Sequence, residues 1–377
     1  MKPPQRVALV HDWLTGFRGG EQVLLSLARL FPAAPIFTLL HVKGSLPAEL
    51  ESKTIRTSFV GKLPFARSLY RHYLPLFPLA VRGLDVRGFD LVVSSSHCVA
   101  KSVVPGARAR HVCYCHTPMR YVWDRFDDNF GPARMGRLGS AGLRVMAEGL
   151  RAFDVATAHN VHEYVANSKT VAARIRHFYG RDSEVIYPPV DTDFFTPGPN
   201  DSLEPAYDLV VSALVPYKRI DLAIDAANLT KRRLLVVGSG PEEGRLRARA
   251  GATVEFLGSA DRDRLLGLYR GCRALLLPGV EDFGIVVAEA LACGRPALVN
   301  AQGGGAEIVN HGEFGVTFGE PTAAAVAEAL RQLVPDRFAR LSLRERAETF
   351  SRQRFEARFR DLVDRPRAGA QDQGSQS

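Results

Sequence analysis

A chain of 377 residues, 46% hydrophobic and 24% charged, is too long for one ordinary hydrophobic core and too apolar to stay disordered, so it suits two globular domains of similar size. Its longest apolar runs, such as 275–278 and 285–288, are far too short for a membrane-spanning helix, and "MKPPQRVALVHDW" has only a four-residue apolar run before His11, which does not make a secretory signal. The net charge of +9 is held in the first half: residues 1–190 carry 25 Lys and Arg against 14 Asp and Glu, whereas 191–377 carry 24 against 26. That half is expected to face something anionic in the cytoplasm.

In chain order, "RVALV" followed by "GEQVLLSLARLF" reads as strand then helix, and His11, Asp12 and the "GFRGGE" turn with Gly16, Gly19 and Gly20 follow the strand directly. Residues 61–84 mix Leu, Phe and Tyr with Lys62, Arg67, Arg71, His72 and Arg82. This is the pattern of a surface that rests on an anionic membrane with its apolar side chains in the interface; an ordinary buried helix pair with a solvated basic face is the alternative. "DLVVSSS", "RHVCYCH" and "EYVANS" with "KTVAARIRHFY" continue the strand–helix alternation. Cys113, Cys115 and His116 are potential metal ligands, yet alternation puts both thiols on one strand face and no second ligand pair appears, so a structural role is expected. The odd count of five cysteines fits reduced thiols.

The five prolines of "YPPVDTDFFTPGPNDSLEPAY" interrupt this grammar and mark a linker. The alternation restarts with "YDLVVSALV", and runs through "RRLLVVGSG", "TVEFLG", "ALLLPG" and "PALVN". The expected organisation is an α/β chain with a Rossmann-like unit at 1–190, a linker at 191–205, a second Rossmann-like unit at 206–363 and a disordered tail at 364–377. "VVGSGPEEG" mimics a dinucleotide fingerprint, but its glycines read GxGxxxG and no acid closes the next strand, so NAD is not expected. No nucleic-acid motif appears.

In open α/β sheets ligands lie beyond the carboxyl ends of strands. Those positions hold His116 after "RHVCYC", Lys218 and Arg219 after "LVVSALV", and Glu281 after "ALLLPG". "EDFGIVVAEALACGRPALV" is expected to start a helix near Phe283 or Gly284 and to end it at Gly294. Glu281 then lies in the loop, able to accept sugar hydroxyls, and the amides of Gly284 and Ile285 at the helix start can hold a phosphate. Read from the pattern alone, Glu281 and Glu289 are equally a dipole-favoured acid and a solvated one.

The pair Glu281-x7-Glu289 resembles the signature of the retaining glycosyltransferases of family 4, and "GGEQVL", "CHTPMRYVWD", "VANSKTVAARI", "VIYPPVDTDFF", "SALVPYKRIDLAI" and "VVGSGPEEGRLR" are similar to that family's motifs in the same order. The resemblance spans nearly the whole chain and leans toward the mannosyltransferases of bacterial surface polysaccharide (O-antigen) biosynthesis. It implies a GT-B fold of two facing Rossmann-like domains with the active site in the cleft between them, and a donor such as GDP-mannose. The acceptor it implies is a lipid-linked or polysaccharide glycan, with the enzyme peripheral on the anionic inner face of the cytoplasmic membrane.

The resemblance also implies roles. His116, Glu281 and Lys218 would act in catalysis, and Gly19, Gly20, Arg219, Phe283, Gly284, Ile285 and Glu289 would bind the donor, with Glu289 on the ribose and Glu281 on the sugar. Retention is assigned in this family to front-side attack with the leaving diphosphate taking the acceptor's proton. Lys218, Arg219 and helix amides would then stand where a divalent ion might, so no metal is expected. The sequence departs from the family at Ala213, where an arginine is usual; Arg219 is the candidate substitute. A nucleotide-sugar 2-epimerase, a UDP-sugar transferase and a non-catalytic sugar-nucleotide binder are the competing readings.

Overall fold

The computed structural model describes residues 5–120, 122–124, 126, 132–198 and 207–366. The chain divides into two compact units, one formed by Met1–Tyr187 together with Phe355–Ser377, the other by Pro188–Arg354. The first contains a seven-stranded sheet built from β1 (Val7–His11), β2 (Ile36–Thr38), β3 (Ile55–Thr57), β4 (Leu91–Ser96), β5 (Arg110–Cys115), β6 (Glu163–Ala166) and β7 (Ser183–Val185), in the order β3-β2-β1-β4-β5-β6-β7. The second contains a six-stranded sheet of β8 (Tyr207–Val211), β9 (Leu234–Val237), β10 (Val254–Gly258), β11 (Cys272–Leu277), β12 (Ala297–Asn300) and β13 (Gly315–Phe318), ordered β10-β9-β8-β11-β12-β13. Neighbouring strands pair in parallel, as β1 does with β4 and β8 with β11.

Parallel strands covered by helices on both faces must be apolar on both faces. β4 and β5, at the centre of the first sheet, are buried along their whole length. In each sheet the order reverses once, between β1 and β4 and between β8 and β11. At such a reversal the connections leave toward opposite faces, opening a crevice beyond the strand ends.

The units differ from the linear division. The helix Arg352–Asp364 belongs with the first unit, because Phe355, Phe359 and Leu362 form one apolar stripe buried among Leu9, Leu24, Leu27 and Tyr114. Arg110 fixes its end, donating to the carbonyls of Leu362 and Val363 at 2.9 and 2.7 Å. The second unit therefore stops at Arg354 rather than 363. The start of the proline-rich segment is packed rather than free: Val190 donates to the Phe350 carbonyl at 2.9 Å, and Phe195 is buried. The rest of the linker, 199–205, and most of the tail lie outside the described residues.

Residues 59–82 form short helical turns with one buried and one exposed side. Tyr70, Leu74, Phe77, Ala80 and Val81 are core residues, while Phe65 (77% exposed), Leu69, Leu76 and Leu79 (65%) face outward beside exposed Lys62, Arg67, Arg71 and Arg82. Among the described residues no helix is long and apolar enough to cross a membrane.

Candidate functional site

Most of the residues singled out by position lie at the two points of reversal. In the second unit, β8 leads into a tight turn, Pro216–Lys218, and β11 leads into the loop 278–284. The two connections touch backbone to backbone. A Cβ on Gly279 would lie 2.7 Å from the Tyr217 carbonyl and 2.8 Å from Lys218 Cα, so only glycine allows the approach. From the other side, Gly304 donates its N–H to the Glu281 carbonyl at 2.8 Å, and a Cβ on Gly303 would sit 2.5 Å from that oxygen. Glu281 is thus clamped between two glycine-lined backbones and ion-paired with Lys218. Both side chains keep about a fifth or less of their surface exposed, 19% for Lys218 and 16% for Glu281.

Arg219, in left-handed backbone (φ 51°), folds its guanidinium onto Asp221, with Nε 3.1 Å from Oδ1. The helix starts where expected: Gly284 caps Ile285–Ala292 in left-handed backbone, and Gly294 lies just past its end. Phe283 departs from a donor-binding role for its side chain, because the ring is buried edge-on against Phe350 and belongs to the core.

Glu289 overturns the solvated reading. It is 8% exposed, and one carboxylate oxygen accepts the hydroxyl of Tyr269, itself fully buried, at 2.7 Å. Burial, which outweighs the Tyr269 hydrogen bond and the charge of Arg262, lifts its pKa from 4.5 to about 7.

In the first unit the reversal gathers three histidines. Asp12, fully buried, accepts the backbone N–H groups of His97, Cys98, Val99 and Ala100 at 2.7–2.9 Å, and so pins the turn after β4. It also lies 3.1 Å from His97 Nδ1. Ser95 Oγ lies between two rings, 3.1 Å from His11 Nδ1 and 2.8 Å from His116 Nε2. Asn167 Nδ2 donates to the His116 carbonyl at 2.9 Å. Burial, then the neighbouring His97 and His11, push the His116 pKa well below its usual range, so the ring is neutral. Gly19 opens the helix Gly19–Leu30; a Cβ there would meet nothing within 4 Å, and one on Gly20 would rest against His11 at 3.5 Å.

Cys113 and Cys115 are free and buried on β5. Among the described residues no group of three or more His, Cys, Asp or Glu is arranged to hold a metal ion.

Residues 17–194 match the family model for Glycosyltransferase Family 4, and residues 195–354 match that for Glycosyl transferases group 1, so the two run without a gap from 17 to 354. The chain belongs to the glycosyltransferases. Among curated relatives, the D-inositol 3-phosphate glycosyltransferase of Gordonia bronchialis is 32% identical over 222 residues, which cover 50% of this chain and 48% of that protein. The GDP-mannose-dependent alpha-(1-6)-phosphatidylinositol dimannoside mannosyltransferase of Mycobacterium tuberculosis is 35% identical over 158 residues, 41% of this chain and 39% of that protein. The chain thus spans about half or less of the length of these curated relatives. Anabaena HepE, solved in complex with UDP, superposes with a TM-score of 0.69 at 16% identity, covering 95% of this chain and 99% of that one. The fold is GT-B, two Rossmann-like units of parallel sheet.

Strand-end position singled out His116, Lys218 and Glu281, and the family resemblance singled out Glu289, but the sequence did not point to the groups that hold them. Ser95, near the end of β4, and His97, just beyond it, lie at the reversal and are open to the same strand-end argument. Tyr269 carried no local signal, since nothing along the helix Arg262–Gly271 reports which side chain turns toward Glu289.

Glu289 makes stability pH-dependent. Between pH 4.5 and 7 the folded protein keeps a proton that the unfolded chain has released, so stability falls as pH rises through that window and levels off above it. The loss amounts to roughly 3 kcal/mol. Denaturant unfolding of wild type and Glu289→Gln at pH 5 and pH 8 is expected to coincide closely at the lower pH and to favour the variant at the higher.

Proposed function

We propose that this chain is a retaining glycosyltransferase that moves a hexose, with mannose from GDP-mannose as the first candidate, onto a hydroxyl of a lipid-linked glycan at the inner face of the cytoplasmic membrane. The observation that carries this reading is the Lys218–Glu281 pair at the β8/β11 reversal, with buried Glu289 on the helix that follows. A carboxylate suits sugar hydroxyls, an ammonium suits a diphosphate, and a second carboxylate with one oxygen already held by Tyr269 suits a ribose hydroxyl. Donor binding replaces the Lys218–Glu281 contact with one partner for each, phosphate for Lys218 and hydroxyl for Glu281.

In the transfer, the bond from the anomeric carbon to the diphosphate oxygen breaks and the bond to the acceptor oxygen forms on the same face. The acceptor's proton passes to the departing diphosphate. Lys218 stabilises the charge that grows on that group, aided by Arg219 and by the amides of Gly284 and Ile285 at the helix start, so no metal is called for. Phe283 contributes through its backbone. Neither Gly19 nor Gly20 is dictated by tight packing within the chain, which agrees with a turn kept open for the donor phosphates. His116 meets the reacting sugar or its acceptor.

The 35% identity to a GDP-mannose-dependent mannosyltransferase favours that donor. The complex of HepE with UDP keeps a UDP-sugar as the second reading. A thermal-shift panel of GDP-mannose, UDP-glucose and ADP-glucose separates the two, since the true donor raises the melting temperature most. A 2-epimerase would turn over donor with no acceptor present and leaves the exposed apolar and basic face at 62–82 unexplained.

Replacing Lys218 by Ala is expected to lower turnover about a hundredfold, while a chelator leaves the wild-type rate unchanged. Unaltered turnover in Lys218→Ala would remove the diphosphate role. For the membrane, each of Lys62, Arg67, Arg71 and Arg82 near an anionic surface contributes about 1 kcal/mol, an attraction that salt screens. The protein is expected to sediment with phosphatidylglycerol vesicles at low ionic strength, to stay free of phosphatidylcholine vesicles, and to lose binding when all four become Gln. Equal binding to both vesicle types, or to neither, points instead to a soluble acceptor.

A further inference from the structure

Three buried groups of the first unit form a chain that ends on His116. His11, fully buried, has its Nδ1 3.1 Å from Ser95 Oγ, and Ser95 Oγ is 2.8 Å from His116 Nε2. At the far end, His11 Nε2 is buried without a hydrogen-bond partner and faces Glu21 Oε1 at 3.8 Å. Glu21 is also buried, and its other oxygen accepts the Arg18 backbone N–H at 2.9 Å, which holds the carboxylate in place at the start of the helix Gly19–Leu30.

Such a chain has two polarities. In one, His11 carries its proton on Nε2, toward Glu21; Ser95 then donates to His11 Nδ1 and accepts from His116 Nε2–H, leaving His116 Nδ1 a bare lone pair. In the other, every bond reverses: His11 Nε2 becomes a lone pair turned on a carboxylate, and His116 carries its proton on Nδ1. A lone pair aimed at a buried anion is repelled, whereas an N–H aimed at it is attracted, and low surrounding polarity strengthens both. Although burial raises the Glu21 pKa, the neighbouring His11 ring and the backbone N–H groups of Glu21 and Arg18 bring it below the usual carboxylate range, so Glu21 is the anion of this pair.

We propose that Glu21 is a positioning residue that, through His11 and Ser95, fixes His116 as the Nε2–H tautomer, so that its Nδ1 accepts a hydrogen bond from a hydroxyl of the sugar substrate and cannot donate one. The charged and titratable groups around the ring are His11 and His97 from the two neighbouring strand ends, Tyr114 on its own strand, and Glu21 beyond His11. Among the described residues Nδ1 of His116 has no hydrogen-bond partner, and the ring is only partly buried. The inference rests on the proposed role of His116 in transfer, but the tautomer is a property of the free protein and can be read without turnover.

Glu21→Gln is the discriminating variant, because its amide oxygen can keep the Arg18 N–H while its NH2 turns toward His11. That donor favours a lone pair on His11 Nε2 and reverses the whole chain. Nitrogen-15 NMR of the imidazoles in the full chain distinguishes a protonated from a bare ring nitrogen. The expected result is a bare Nδ1 and a protonated Nε2 on His116 in the wild type, with the two signatures exchanged or mixed in Glu21→Gln. Ser95→Ala breaks the relay, so adding Glu21→Gln to it is expected to leave the His116 pattern as Ser95→Ala alone sets it. A wild-type His116 protonated on Nδ1 would overturn the proposal, as would a pattern unmoved by Glu21→Gln in a folded variant. If Glu21→Gln does not fold, a His116 pattern in Ser95→Ala identical to the wild type overturns it equally. Full activity in His116→Ala, with the tautomer as expected, would instead count against the catalytic reading alone.

Discussion

The contact between Lys218 and Glu281 is the interaction on which the proposed donor site depends. Two half-sequestered charges of opposite sign satisfy each other, and removing either leaves its partner poorly solvated. What brings them together is backbone: Gly279 lets the loop after β11 lie on the lysine turn, and Gly303 and Gly304 close on the Glu281 carbonyl from the other side. The pair is therefore held by main chain as well as by side-chain preference. Under the proposed reading, a donor that carries both hydroxyls and phosphates would supply a replacement partner for each member at once, whereas a nucleoside diphosphate alone would satisfy Lys218 and leave Glu281 without its cation.

The first unit is organised on a comparable principle with a different group. Asp12 takes four amide hydrogens and lies against His97, so the turn after β4 is tied to the end of β1. That tie fixes the part of β4 from which Ser95 reaches both His11 and His116. In the first unit a buried carboxylate ties the strand ends together at the reversal, whereas in the second the loops are held there by close backbone approach at glycines.

Much of this was legible in the sequence because strand ends are readable. Alternating apolar runs and helical patterns gave both sheets, and the residue after each run marked His116, Lys218 and Glu281. Gly284 and Gly294 bounded the helix between them, since a left-handed cap and a helix stop have local causes. What escaped were long-range packings. The stripe of Phe355, Phe359 and Leu362 fits any core, and only the three-dimensional fold assigns it to the first unit. Glu289 reads as a surface acid until Tyr269, twenty residues earlier, is seen to hold it. Phe283 sits inside the signature segment but is buried as structure.

The most direct test of the donor site compares GDP with GDP-mannose by calorimetry, in the wild type and in Glu281→Gln. If Glu281 holds the sugar and Lys218 the diphosphate, wild type binds GDP-mannose more tightly than GDP. Glu281→Gln then keeps or improves its affinity for GDP, since Lys218 is released from its partner, while the advantage of the intact sugar nucleotide shrinks. An unchanged preference for GDP-mannose in Glu281→Gln, or an equal loss of affinity for both ligands, would contradict this division of labour.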